Sequence, residues 1–133
     1  MALCPCDSGK PYSKCCGVYH LGTPAPTAEA LMRSRYSAYA LATQTPKLSE
    51  YLLQTWHPDT RPQSLVLDGE YASKWLGLQI MHHQNIDAEH AIVEFVARYK
   101  HAGNLGGKAE RLHESSRFQR IDHRWYYVDG DYQ

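Results

Sequence analysis

The feature that most constrains this chain of 133 residues is the placement of its cysteines. All four of them, Cys4, Cys6, Cys15 and Cys16, lie within the first sixteen residues. Four thiols at this density match the tetrahedral thiolate site that zinc prefers, with Zn–S distances of about 2.3 Å. The spacing therefore predicts one zinc ion per chain, although iron also suits a tetrahedral site of four sulfurs.

The residues between the cysteines favour a tight metal-binding loop. Ser8-Gly9 predicts a turn, because glycine reaches positive φ without steric cost, and Pro11 predicts a short helical turn that presents Cys15 and Cys16. A disulfide framework is the alternative interpretation. No basic segment followed by an apolar stretch precedes the cysteines, so a reducing, cytoplasmic compartment is expected, where clustered cysteines favour a metal.

The run from Cys4 to Gly17, C-P-C-D-S-G-K-P-Y-S-K-C-C-G, resembles the SEC-C motif. This motif is a small zinc hook that is also found at the C-terminus of the SecA translocation motor. One departure is Asp7, which stands where the motif usually has glycine, and aspartate tolerates the left-handed region better than most residues. Four later segments resemble the YchJ-like proteins, which join such a hook to an NTF2-like domain: residues 35–40, 51–53, 55–58 and 75–78.

The resemblance implies an α+β fold, with an NTF2-like (cystatin-like) half-open cone behind the zinc hook. In that fold, N-terminal helices pack on a curved antiparallel sheet. We divide the chain into a hook (residues 1–20), a linker (21–26) and an NTF2-like domain (27–133). Two prolines and a glycine disfavour regular structure between Val18 and Pro26. Residues 27–129 are expected to fold without the hook. His20 could replace a cysteine as a ligand, but four thiolates already complete a tetrahedron, which favours an ordinary linker histidine.

Hydrophobic periodicity independently predicts the α+β class. Apolar residues at helical spacing predict one helix from Ala28 to about Ala42, capped by Thr27, and a shorter one after Thr45-Pro46 that ends at His57-Pro58. The period then changes to two, which predicts strands. The predicted strands are Lys74–His82, His90–Lys100, Glu110–Ile121 and Arg124–Val128, and the last two form a hairpin. In the first strand, Leu76, Leu78 and Ile80 lie on one face. Residues 59–73 and 102–109 are expected to be mainly loops.

The hairpin places an acid among apolar residues. If Asp122-His123 is a two-residue turn, Glu114 shares its face with Leu112, Phe118 and Trp125. We favour a structural ion pair between Glu114 and Arg33 or Arg35, since buried carboxylates are usually paired. The alternative is a small-molecule or acid–base enzyme site in which Glu114 is the catalytic candidate. The candidate pocket residues are Arg33, Arg35, Tyr36, Tyr39, Glu114, Ser116, Trp125 and Tyr127.

Charge and hydropathy limit the kinds of partner that this chain can have. Lys+Arg and Asp+Glu are 14 each, which argues against a nucleic-acid partner, and no apolar run is long enough to span a membrane. A protein partner is predicted to dock on the exposed side of the hook, through Lys10, Tyr12, Lys14 and Tyr19, and the SecA-like motif implies a role in translation or export. Alternatively, the metal only fixes the N-terminus. A homo-oligomer is a further option.

Overall fold

Helices come first and strands second in the computed structural model, which describes residues 2–65, 67, 73–101 and 108–133. A 3₁₀ turn at Tyr12–Lys14 precedes the helices, which are α1 (Cys16–His20), α2 (Ala28–Leu41) and α3 (Leu48–Gln54). The strands are β1 (Ser73–Asn85), β2 (His90–His101), β3 (Glu110–Ile121) and β4 (Arg124–Tyr132). This order confirms the predicted α+β class.

The strands form one open antiparallel sheet in the order β1-β2-β3-β4. Between β3 and β4, Asp122 and His123 both have positive φ, 51° and 67°, which is the backbone conformation of a two-residue hairpin turn. Phe118 pairs with Tyr127. The hairpin register therefore places Glu114 and Ser116 on the same face as Phe118.

Two irregularities bend β1 and change which side chains face inward. The pairing with β2 shifts between Trp75 and Gly77 and again between Ile80 and His82. An extra residue in one strand reverses the alternation locally and bends the strand. Leu76 was predicted to share a face with Leu78, but Leu76 is 38% exposed, whereas Leu78 is buried and Trp75 packs on Tyr36. The prediction for Leu76 was wrong because regular alternation does not reveal a bulge.

Helix α2 covers the inner face of the sheet. Thr27 caps it as predicted, because its Oγ1 accepts a hydrogen bond of 3.0 Å from the amide of Ala30. Its buried side chains, including Leu31 and Tyr36, share one hydrophobic core with Val93 and Phe118 of the sheet. The same core includes Cys4, Cys6 and Cys16, so the hook packs directly against the domain.

The connecting segments differ in part from their prediction. Val18–His20 are helical and not extended, because the breakers Gly22 and Pro24 act only after the helix has ended. The amide of Leu21 bonds to the Gly17 carbonyl, which closes the last turn of α1. Of the predicted loops, residues 66, 68–72 and 102–107 lie outside the described residues. Among the helices that the structure describes, none is long and apolar enough to cross a bilayer.

Candidate functional site

The four cysteine side chains converge on one point. Their sulfur atoms all lie within 4.8 Å of one another, and Cys6 and Cys15 are 3.7 Å apart. A tetrahedral zinc with bonds of about 2.3 Å requires sulfur–sulfur distances of about 3.8 Å. Cys4, Cys6 and Cys16 are buried, with exposures of 4%, 0% and 0%. The donor set therefore fits a tetrahedral metal ion held by Cys4, Cys6, Cys15 and Cys16.

The loop between the cysteines has the predicted conformations. Asp7 has φ 61° and Gly9 has φ 82°, so the aspartate does occupy the left-handed region. Its carboxylate accepts a hydrogen bond of 3.0 Å from the amide of Leu78 in β1. Sequence reasoning missed this bond, which ties the hook to the sheet, since it depends on the bulged geometry of β1.

Hydrogen bonds around the sulfurs favour some thiolates over others. Hydrogen bonds donated by the thiols of Cys16 and Cys4 stabilise the Cys6 thiolate and lower the pKa of Cys6. Hydrogen bonds with Cys4 and Cys6 favour the protonated form of Cys16 and raise its pKa. Burial raises the pKa of Cys15, although Ser8 lies 3.1 Å from its sulfur. Hydrogen bonding and burial therefore act in opposite directions on different sulfurs of the cluster. A bound metal cation would stabilise all four thiolates.

Arg33, a predicted pocket residue, instead lies beside the hook. Its Nη1 donates to the carbonyl of Cys6 at 2.8 Å, and its Nε donates to Glu29 at 3.1 Å. Burial by itself would lower the pKa of Arg33, but the Glu29 carboxylate and the Cys6 side chain outweigh it and raise the pKa. Arg33 thus places a positive charge next to a site that becomes anionic when its thiols ionise.

His20 connects the hook to α2 and does not belong to the cysteine cluster. Its Nε2 lies 2.8 Å from the Ser34 carbonyl, so Nε2 carries the proton, and its Nδ1 accepts from the Tyr12 hydroxyl at 2.6 Å. Burial lowers the pKa of His20, which favours this neutral form. The histidine is therefore a structural bridge between two segments.

The predicted docking residues differ in how they are presented. Lys10 and Lys14 are exposed, whereas Tyr12 and Tyr19 are half-buried. Nearby, the apolar side chain of Leu3 is 67% exposed. The rim of the hook, which we define as Leu3, Lys10 and Lys14, is therefore basic with an apolar contact.

A cavity of about 260 Å³ lies between α2 and the inner face of the sheet. Six predicted pocket residues line it: Arg35, Tyr36, Tyr39, Glu114, Ser116 and Tyr127. Arg33 does not line it, and Trp125 faces a separate groove beside Tyr19 and Tyr51. Trp125 lies two residues before Tyr127 on β4 and lines that groove together with Leu31 of α2.

The predicted ion pair of Glu114 with Arg33 or Arg35 does not form. Glu114 accepts hydrogen bonds from Ser116 Oγ at 2.5 Å and from the Tyr127 hydroxyl at 3.4 Å. Arg35 donates from Nη1 to the Leu52 carbonyl and to Thr55 Oγ1, both at 2.7 Å. The prediction was wrong because the last carbonyls of a helix lack partners within it, and those of α3 attract the arginine.

The tyrosines of the cavity remain hydrogen-bond donors. Burial raises the pKa of Tyr36 to about 12 and also raises the pKa of Tyr39. Burial and then the nearby charge of Glu114 raise the pKa of Tyr127. All three hydroxyls therefore keep their protons near neutral pH.

Comparisons with known proteins agree with this architecture. The family model described as "YchJ, middle NTF2-like domain" matches residues 27–130, and the SEC-C motif matches residues 2–17. A solution structure of a SEC-C motif containing protein from Rhodopseudomonas palustris is 35% identical, with a TM-score of 0.78 over 96% of both chains. A crystal structure of one from Psychrobacter arcticus is 28% identical, with a TM-score of 0.69 over 95% of this chain and 80% of that one.

Proteins of the UPF0225 group are closer in sequence. One from Chromobacterium violaceum is 55% identical over 97% of this chain and 92% of its own length. One from Bordetella parapertussis is 53% identical over 98% of this chain and 92% of its own length. With a SEC-C hook, an NTF2-like domain and these relatives, the chain belongs to the YchJ-like family, whose members carry the name UPF0225.

Proposed function

We propose that this protein is a zinc-binding adaptor of the cytoplasm, in which one metal ion fixes the hook so that its rim can dock on a protein partner. The observation that carries the proposal is the closed set of four convergent thiols, three of them buried. A site with four protein ligands leaves no open position for a substrate, which favours a structural role.

Zinc is the metal that we propose for this site. Tetrahedral sulfur suits both zinc and iron, but zinc has no redox chemistry and is the usual ion of closed structural sites. All four cysteines are free of disulfides. A reducing cytoplasm would keep these thiols available for the metal.

The rim supplies the docking contacts in this proposal. Lys10 and Lys14 are exposed beside Leu3, so a partner surface with acidic groups around an apolar contact would complement it. The SecA-like motif suggests a partner in translation or protein export, and this suggestion rests on analogy alone.

Metal analysis of the purified chain tests the first half of the proposal. We expect about one equivalent of zinc in the reduced protein and a loss of it in the Cys15→Ser/Cys16→Ser variant. Iron in place of zinc would overturn the choice of metal. Less than about half an equivalent of either metal would overturn the site itself.

Affinity purification with a charge-reversed rim tests the second half. Proteins that co-purify with the intact chain should be lost with Lys10→Glu/Lys14→Glu, which leaves all four thiols in place. Lys47→Glu, an exposed lysine before α3, is the matched control and should retain them. The adaptor proposal fails if the rim variant retains the same proteins, or if only another copy of this chain is recovered.

A further inference from the structure

The cavity between α2 and the sheet contains an arginine without a carboxylate partner. Arg35 is 4% exposed, and its guanidinium lies over the rings of Trp56, at 5.0 Å, and Tyr127, at 4.7 Å. Its two hydrogen bonds from Nη1 go to neutral oxygens. No ion pair of Arg35 forms within the described part of the chain, so a full positive charge is buried at the cavity wall without a carboxylate in direct contact.

A buried cation of this kind is costly unless something compensates for it. An arginine keeps its charge in proteins, so burial cannot neutralise it by deprotonation. Neutral hydrogen bonds and aromatic faces offset only part of the lost hydration. An anionic group in the cavity would supply the missing counter-charge, and it would bind in a bidentate manner if both its oxygens reached the guanidinium.

Glu114 provides a second polar group in the same cavity. Ser116 and the Tyr127 hydroxyl hold its carboxylate, and Gly130 packs against it so closely that an added Cβ would collide with it. Arg35 lies over the Tyr127 ring, whereas Glu114 meets the hydroxyl at the edge of that ring. The cation and the carboxylate thus contact different parts of the same tyrosine, Arg35 its ring face and Glu114 its hydroxyl.

The remaining walls are apolar and aromatic. Trp75 packs on Tyr36 and Tyr39 with ring centroids 5.7 and 6.0 Å apart. A volume of about 260 Å³ is at the small end for ligand pockets, which favours a ligand with a single ring.

We propose that this cavity is a binding site for a small aromatic carboxylate that carries a hydrogen-bond donor opposite its acid group. The carboxylate pairs with Arg35, the ring lies among the aromatic walls, and the donor, a hydroxyl or an amine, bonds to Glu114. This site is separate from the hook and needs no open metal position.

A matched series of small probes tests the proposal on the full, zinc-loaded chain. The probes are 4-hydroxybenzoate, its neutral amide 4-hydroxybenzamide, and benzoate, which lacks the donor. We expect 4-hydroxybenzoate to bind at least about tenfold more tightly than the amide and several-fold more tightly than benzoate. In NMR titrations, the indole signals of Trp56 and Trp75 should shift, because these residues line the cavity, and the signal of Trp125 should not.

Variants assign each end of the ligand. Arg35→Met keeps an unbranched side chain but removes the charge, and it should abolish the preference for acid over amide. Glu114→Gln should reduce the preference of 4-hydroxybenzoate over benzoate. Arg111→Met, an exposed arginine on the other face of β3, should leave both preferences unchanged.

The wild-type series decides the question even if Arg35→Met fails to fold. The proposal is overturned if no acid shifts Trp56 or Trp75 at about 20 mM, or if the amide binds as tightly as the acid. It is also overturned if folded Arg35→Met retains the preference for the acid.

Discussion

The hook and the cavity are two polar clusters that both contact helix α2, and they are built in opposite ways. The hook draws its four ligands from thirteen consecutive residues, Cys4 to Cys16, and its polar atoms need one cation. The cavity joins Glu114 of β3 and Tyr127 of β4 to Arg35 of α2, which lies 79 positions before Glu114 in the sequence. The comparison shows that spacing identifies a local site, whereas a site assembled by folding depends on packing that the sequence does not display.

The two clusters also differ in how their charges are compensated. At the hook, Arg33 donates to a backbone carbonyl beside ionisable thiols, and Glu29 pairs with the same arginine. In the cavity, Arg35 and Glu114 carry opposite charges but are each satisfied by neutral groups. The hook is therefore complete once it holds a metal, whereas the cavity retains an unpaired cation.

Removal of the metal is expected to produce the largest effect. Cys4, Cys6 and Cys16 belong to the main core, and Asp7 bonds to β1, so a disordered hook would expose part of that core. We expect a chelator to lower the free energy of unfolding by about 3 kcal/mol or more, which corresponds to roughly 10 °C in Tm. Calorimetry of the zinc-loaded chain with and without chelator measures this.

The amino-acid sequence predicts the opposite result, because the helices and strands of residues 27–129 have their own apolar faces. A main transition that stays within about 1 °C after chelation would support that independent module. It would also show that the contacts between the hook and the core contribute little to stability.

Much of the fold follows from local patterns. The cysteine spacing, the Thr27 cap and the Asp122-His123 turn each depend on residues a few positions apart, and the structure shows all three. The apolar alternation of β2 is regular, so the strand predicted at His90–Lys100 agrees with the observed His90–His101.

The errors share a physical cause, which is competition from distant groups. The bulge at Leu76 depends on how β1 pairs with β2, and the partners of Arg35 are the carbonyl and hydroxyl at the end of α3. Neither leaves a periodic signal. Thr55 in the sequence indicates a polar helix end, but it does not indicate which arginine bonds to that end.

A glycine-to-alanine pair compares the two regions directly. At Gly130, an added Cβ would collide with the Glu114 side chain, whereas at Gly77 it would lie 3.1 Å from Asp7 of the hook. We expect Gly130→Ala to cost about 1–2 kcal/mol, because Glu114 must leave Ser116, and Gly77→Ala to cost less. Urea denaturation measures both. Combining Gly130→Ala with Glu114→Ala should restore most of the unfolding free energy that Gly130→Ala alone removes. The account is contradicted if Gly130→Ala and Gly77→Ala cost the same and the double variant restores nothing.

The junction between hook and domain should be sensitive to pH through His20. Its pKa is lowered in the folded state, so below its ordinary value near 6.5 the unfolded chain binds a proton that the folded chain resists. Stability is therefore lost as the pH falls from about 7 to 6, by at most about 1.4 kcal/mol per unit. His20→Gln should reduce this slope when zinc is kept saturating. The exposed His82→Gln is the control, and a slope that His20→Gln leaves unchanged would exclude His20 as its source.

The smallest expected effect is that of Glu114→Gln, which tests whether Glu114 forms an ion pair or is an unpaired acid in the cavity. If Glu114 formed the predicted ion pair, Glu114→Gln would leave an arginine uncompensated and cost several kcal/mol. In the structure the acid is held by Ser116 and Tyr127, and a glutamine oxygen can accept both of these hydrogen bonds. We therefore expect a change in the free energy of unfolding of less than about 1 kcal/mol. Arg35→Met is the informative counterpart, since it leaves the Leu52 carbonyl and Thr55 without their donor and should cost about 2 kcal/mol or more. A loss of several kcal/mol of unfolding free energy for Glu114→Gln would contradict this account. It would mean that the Glu114 carboxylate already stabilises the charge of Arg35 through Tyr127 and Tyr39, so that the cavity would not need an anionic ligand.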